Sequence, residues 1–347
     1  MTFKYLRIIG FIVFYMVIVE VALEVHANMR GWNTLLLGTP KFTSSTVSPQ
    51  GASYGPTPEF PFRSRIVGSE KQLGTSRYWI ASSSHAEDQY VEPAAIFPSV
   101  LERILQKDGV KATVLNAGVA GRDIKGNIEH LHLLSRTWKP DVVILYQMSL
   151  TITQLSKRLL GSKGMYRKNG GETAGSGAGL SLNWGQRMIE ATSAYAKLKG
   201  HVTGSLGTMR VLSNGLGPEG EMAFERDVQD FVLAVREEGA VPVLCTFATS
   251  HTRKDLPHFP YDVVTGIFRY NSYLSLEGWV TTIERFNDII RQVGAREGVL
   301  VVELEREIAG HADYFRDFVH FTPKGHEAVA AVLSQRLIEL GVSTVGQ

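Results

Sequence analysis

Between Arg77 and Leu340 short runs of β-branched and aromatic residues alternate with stretches of helical spacing, and this alternation is the strongest constraint on the fold. Tyr78-Trp79-Ile80-Ala81, Ala112-Thr113-Val114-Leu115, Asp141 to Tyr146, Val241 to Thr246 and Val299 to Leu304 are the strand-length runs, rich in residues that suit a pleated surface. Pro98 to Gln106 sets Val100, Ile104 and Leu105 on one face; Ile124 to Trp138, Glu219 to Glu238 and Leu276 to Gly294 also read as helices. Pro323 suits a first helical turn, and Ala328 to Leu340 continues it. Strands separated by helices form a parallel sheet covered on both faces. In such sheets ligands gather at the C-terminal ends of the strands. Ser82-Ser83-Ser84, the loop ending at Gly121, the segment after Tyr146 and the loop containing Asp317 all emerge on that edge.

The rest of the chain divides around this pattern. Ile8 to Val19 is an unbroken apolar run preceded by Lys4 and Arg7 and interrupted by Glu20. It is short for a span of about 20 residues. Residues 1–27 therefore read as a signal anchor extended through Val25, as a signal peptide cleaved after Val25-His26-Ala27, or as a core helix. The basic N-terminal flank favours an inside N-terminus, which expects the remainder outside the cytoplasmic membrane. Residues 28–74, rich in Pro, Gly, Ser and Thr, read as a linker, and 75–345 as the globular domain. Within it, Gly161 to Gly217 breaks the alternation and reads as an insertion, lid or partner surface. Its Gly175-Ser176-Gly177-Ala178-Gly179 has no strand before it, so it reads as a loop and not as a dinucleotide turn.

Composition excludes several classes. With 36 Lys+Arg against 34 Asp+Glu and no basic stripe, nucleic acid is a poor partner. The one cysteine, Cys245, excludes an internal disulfide and a Cys-rich zinc site, and it sits in an apolar run as a small hydrophobe. His130 and His132, two apart, do not share a helix face. No cofactor and no metal are expected.

The chemistry converges on Asp317-Phe318-Val319-His320. An acid three residues before a histidine can hold one ring nitrogen while the other faces a nucleophile. A serine at the end of the first strand is the candidate nucleophile, activated if that histidine takes its proton. The backbone N–H groups of the serine and of Gly121 are candidate donors to a developing oxyanion. Glycine permits close backbone approach there; its other reading is a plain tight turn.

These residues resemble the SGNH (GDSL-like) hydrolase superfamily. The likeness covers about Arg77 to Leu340, with Gly161–Gly217 unmatched. It rests on Asp317-Phe-Val-His320 with Thr322-Pro-Lys-Gly325, on Val114-Leu-Asn-Ala-Gly-Val-Ala-Gly121 and on Arg285-Phe-Asn287-Asp-Ile-Ile; the N-terminal segment ending Glu20-Val-Ala-Leu-Glu24 is similar to the anchors of membrane-tethered bacterial members. The resemblance implies a flavodoxin-like three-layer α/β/α sandwich with a central parallel sheet. It also implies ester hydrolysis or acyl transfer through Ser, His and Asp. Carried over, it makes Ser83 the nucleophile, with Ser82 the alternative by a one-residue shift. Ser83 and Gly121 become the oxyanion donors, and Asp317 and His320 the acid and base.

The third block departs from the family pattern. Leu150 stands where an asparagine amide is expected, and an alkyl chain donates nothing. Gln147, Ser149 and Thr151 are the replacements at hand. The first reading is thus an extracytoplasmic esterase or deacetylase acting on an acylated small molecule or an envelope polysaccharide. The alternatives are a polysaccharide O-acyltransferase on the same scaffold and, because of Leu150, a non-catalytic glycan- or partner-binding protein. His85 reads as a solvent-facing turn residue, His326 as a capping or surface residue, and Glu87-Asp88, Lys157-Arg158 and Arg167-Lys168 as solvated surface.

Overall fold

A computed structural model describes residues 51–161 and 212–339, together with 46–47, 341 and scattered helical positions between 11 and 25. Five strands form one sheet: β1 Ser76–Ser82, β2 Ala112–Asn116, β3 Val142–Tyr146, β4 Val241–Cys245 and β5 Leu300–Val302. The order is β2-β1-β3-β4-β5 and every pairing is parallel. This is the 2-1-3-4-5 order of doubly wound flavodoxin-like sheets, the architecture expected above. Strands β1, β2 and β3 are buried along their whole length, as a sheet covered on both faces requires.

The helices are α1 Ser84–Glu87, α2 Phe97–Lys107, α3 Ile124–Trp138, α4 Ser149–Gly161, α5 Gly217–Glu237, α6 Tyr261–Tyr270, α7 Leu276–Glu297, α8 Leu304–Ile308 and α9 Pro323–Glu339. Helix α9 packs on α2, while α5 packs on both α3 and α7. By the right-handed rule for crossovers between parallel strands, these groups fall on opposite faces of the sheet. Asp123 caps α3 by accepting from the Gly126 N–H, and Ser275 caps α7 through Gly278. Pro98 and Pro218 lie in the first turns of α2 and α5, where the missing N–H is no loss.

Two expectations change. The linker ends well before residue 74: Ser53–Tyr54 pairs antiparallel with Thr46–Val47, and Phe60 and Phe62 are buried. Their rings meet Trp138 edge-to-face at 5.3 and 5.0 Å, and Phe62 meets Trp79 at 5.0 Å. Aromatic pairs of this kind contribute roughly 0.5–1.5 kcal/mol each beyond burial, so two apolar anchors decide over a Pro/Gly/Ser composition. Strand β1 also runs one residue further than its apolar run, to Ser82, which matters for the site. Among the described residues no helix is long and apolar enough to cross a membrane. The anchor reading falls mainly on residues outside the described ones, as does the core of the 161–217 insertion.

Candidate active site

The C-terminal edge of the sheet carries a hydrogen-bonded chain of Ser84, His320 and Asp317. His320 Nε2 lies 2.9 Å from Ser84 Oγ and Nδ1 lies 2.7 Å from Asp317 Oδ2. The other carboxylate oxygen of Asp317 accepts from the backbone N–H groups of Val319 and His320, each at 2.8 Å. The loop holding both residues is pinched: Phe315 bridges Phe321, and the Arg316 N–H donates to the His320 carbonyl at 2.8 Å. Phe318, Val319 and Phe321 are buried in the core and anchor the loop from which Asp317 and His320 reach the site.

The nucleophile assignments to Ser83 and Ser82 are corrected by this register. Because β1 extends to Ser82, that residue is still in the sheet, and its hydroxyl donates to the Tyr146 carbonyl at 2.6 Å. Ser83 is the residue before α1 and its hydroxyl pairs with His85 Nδ1 at 3.1 Å. Ser84, the first residue of α1, is the serine that meets His320. A seven-residue strand whose last residue is a serine gives no compositional sign of where it stops.

His85 is likewise not a solvent-facing turn residue. It is buried, its Nε2 lies 3.1 Å from Ser149 Oγ, and its ring stacks on His320 with centroids 5.3 Å apart. Burial, reinforced by the neighbouring His320 charge, lowers its pKa to about 3, so its imidazole stays neutral through the working range.

The loop after β2 is drawn against the serine turn. Asn116 donates to the Ala86 carbonyl at 2.8 Å and accepts from the Gly118 N–H at 3.1 Å. A Cβ on Gly118 would sit 2.9 Å from Ala86 Cβ and 3.0 Å from the Ser83 carbonyl, a closeness only glycine allows. Gly121, the expected oxyanion glycine, has φ +82° and open space where a Cβ would stand. The neighbouring Ala120 N–H donates to Glu87 at 2.6 Å, so Glu87 ties this loop to α1 instead of standing as a solvated acid.

Asp88 also leaves the surface reading. Fully buried, it accepts from Arg316 at 3.0 Å and pairs with His326 Nε2 at 3.2 Å. It holds φ +25°, a left-handed conformation that Asp tolerates better than most residues. Arg316 thus joins the turn after Ser84 to the loop of His320. His326 is no surface cap: it has no exposed area, and its Nδ1 accepts from the Phe97 N–H at 3.1 Å. From the other side, Asn287 holds the backbone of Phe247 through two hydrogen bonds of 2.7 and 3.0 Å, and the Phe247 ring packs edge-on against His85 at 5.0 Å.

The electrostatics separate the groups. Burial works against the charged form of Asp317, but the His320 charge and three hydrogen bonds outweigh it and hold the carboxyl well below the usual carboxylate range. Burial by itself would lower His320; the adjoining Asp317 overrides it, with help from Asp88, and raises the pKa above 6.5. That is the profile of a base held in one tautomer by a carboxylate.

Fold and site together define a class: a flavodoxin-like α/β protein with a Ser-His-Asp chain at the C-terminal edge of its sheet. Among solved structures, a lipase/acylhydrolase from Enterococcus faecalis is similar at 13% identity and TM-score 0.45, covering 76% of this chain and 96% of that one. An acetyl xylan esterase, AlAXEase, matches at 15% identity and TM-score 0.42, over 75% of this chain and 98% of that one. A member of the lipolytic G-D-S-L family from Veillonella parvula matches at 9% identity and TM-score 0.44, over 77% and 98%. No family model matches the sequence, and no curated protein does either.

Proposed function

We propose that this protein is an SGNH-type serine esterase whose nucleophile is Ser84. The observation that carries the reading is the Ser84 Oγ–His320 Nε2 contact of 2.9 Å, backed by Asp317 at 2.7 Å. Ser84 Oγ attacks the ester carbonyl carbon while its proton passes to His320 Nε2. The tetrahedral intermediate expels the alkoxide, which takes that proton back, and leaves an acyl-Ser84. Water, deprotonated by His320, then releases the acid and restores Ser84. Asp317 steadies the imidazolium, and the backbone N–H groups of Ser84 and Gly121 are the proposed donors to the oxyanion.

A nucleophile, a base and hydrogen-bond donors together support an ester as the substrate; we propose a small acyl group carried on a small molecule or an envelope polysaccharide. The apolar run of residues 8–19 with its basic flank supports placing the domain outside the cytoplasmic membrane; digestion of intact cells should then remove it, and a fully protected domain would overturn that placement. For the chemistry, the test is turnover of a short-chain aryl ester together with fluorophosphonate labelling. Label on Ser84, and loss of both label and turnover in Ser84→Ala, is the expected result. Undiminished turnover by Ser84→Ala, or a label on Ser83, would reject the assignment.

A further inference from the structure

The turn after β3 offers Gln147, Ser149 and Thr151 in the neighbourhood of Leu150. Their partners distinguish them. Gln147 is buried; its amide nitrogen donates to the Arg122 carbonyl at 3.2 Å and its oxygen accepts from the Thr151 hydroxyl at 2.9 Å. These two residues are committed to each other and to the loop that carries Gly121. Ser149, partly exposed at the start of α4, instead sits 3.1 Å from His85 Nε2. Strands β1 and β3 pair with Ser82 opposite Tyr146, so the Ser84 and Ser149 turns leave neighbouring strands side by side, about 5 Å apart at the sheet edge. Strand β2, which leads to Gly121, lies on the other side of β1. The turn that carries the nucleophile therefore leaves the sheet between the strands that lead to Gly121 and to Ser149.

We propose that the Ser149 hydroxyl is an oxyanion donor in place of the asparagine amide, aimed by His85, which Ser83 in turn holds. This rests on the esterase reading. The direction of the hydrogen bonds follows from burial. A neutral imidazole carries one N–H. If Nδ1 held it, the Ser83 hydroxyl would be a buried donor without an acceptor, because His85 is the only partner of Ser83 Oγ among the described residues. Such a group costs about 1–3 kcal/mol. With the proton on Nε2, Ser83 donates to Nδ1 and Nε2–H donates to Ser149 Oγ. The Ser149 O–H is then left to point out of the chain toward the site. Ser149 would be a catalytic residue, and His85 and Ser83 positioning residues.

Kinetics on the full chain, using the same aryl ester, tests this. Ser149→Ala should lower kcat by about 10²-fold with little change in KM, the signature of a donor used in the transition state. Ser149→Thr, which keeps the hydroxyl, should retain most of kcat. His85→Phe, which keeps a buried ring, should lose kcat as Ser149→Ala does, and the double variant should be little worse than either single one. Thermal unfolding of each variant identifies a loss caused by misfolding. Ser84-dependent turnover with kcat unchanged in Ser149→Ala, or with Ser149→Thr as impaired as Ser149→Ala, would overturn this inference alone. A wild-type protein with no Ser84-dependent turnover would overturn the esterase reading and this inference with it.

Discussion

His320 and His326 sit six residues apart in the sequence, and each faces an aspartate; they differ in what holds the other ring nitrogen. At His320, Nδ1 is held by Asp317 and Nε2 reaches a serine hydroxyl, which can give up a proton. At His326, Nδ1 already accepts from the Phe97 backbone N–H, so Nε2 must carry the proton that points to Asp88. The backbone thereby fixes His326 in one neutral tautomer, and burial lowers its pKa while that of His320 rises. The His326 carboxylate partner is shared with Arg316 and lies wholly inside. A His–Asp pair is therefore not evidence of catalysis; the identity of the group on the far ring nitrogen decides.

The sharpest way to break the comparison is to remove each ring in turn. His320→Ala should lower ester turnover by on the order of 10⁴-fold or more and shift the unfolding midpoint little, since that side chain is partly exposed. His326→Ala should do the reverse. It empties a fully buried site and leaves the Phe97 N–H and one Asp88 oxygen without their partner, a loss of about 2–4 kcal/mol of stability. Parallel kinetics and denaturant melts read both. Loss of turnover without destabilisation in His326→Ala would place that histidine in the chemistry.

pH separates the same two histidines with a smaller effect. The base must be neutral to accept a proton, and its pKa is raised above 6.5; kcat/KM should therefore fall about tenfold per unit on an acid limb centred above pH 6.5. Asp317→Asn should move that limb downward. Stability answers to the other side. The folded-state pKa values of His326 and His85 are depressed, that of His85 to about 3. Below pH 6.5 the unfolded chain takes up protons that these two rings refuse, so stability declines as pH falls, by up to about 1.4 kcal/mol per unit for each. It is fully present only above the unfolded value. Activity limb and stability slope measured on one preparation test both assignments; a stability that rises between pH 6 and pH 5 would contradict the neutral, buried rings.

The sequence carried some of this openly and concealed the rest for identifiable reasons. The alternating strands and helices, with β1, β2 and β3 buried end to end, were legible because periodicity reports burial directly. The Asp317–His320 contact is legible because both of its residues come from a single tight loop. The serine was not, because three consecutive serines differ only in how far β1 runs, and strand ends depend on partner strands. For His85, Asp88 and His326, polar type alone suggests exposure. Their burial depends on partners far along the chain, such as Arg316 for Asp88 and Phe97 for His326. Phe60 and Phe62 were hidden by the composition around them.

The finest test concerns the three serines themselves, which differ by one peptide unit and have separate fates: Ser82 to a sheet carbonyl, Ser83 to His85, Ser84 to His320. Ser83→Ala should leave a working enzyme. It removes the donor to His85 Nδ1, so the ring loses the interaction that favours its Nε2–H form. The loss of one modest hydrogen bond corresponds to a decrease of about 3- to 10-fold in kcat. The nucleophile and its base are untouched, so fluorophosphonate should still label Ser84 in the variant. A nucleophile at Ser83 would instead lose label and turnover completely on the same substitution. The size of this one effect, a few-fold or total, therefore locates the reacting oxygen to a single residue and weighs His85 as a positioning group.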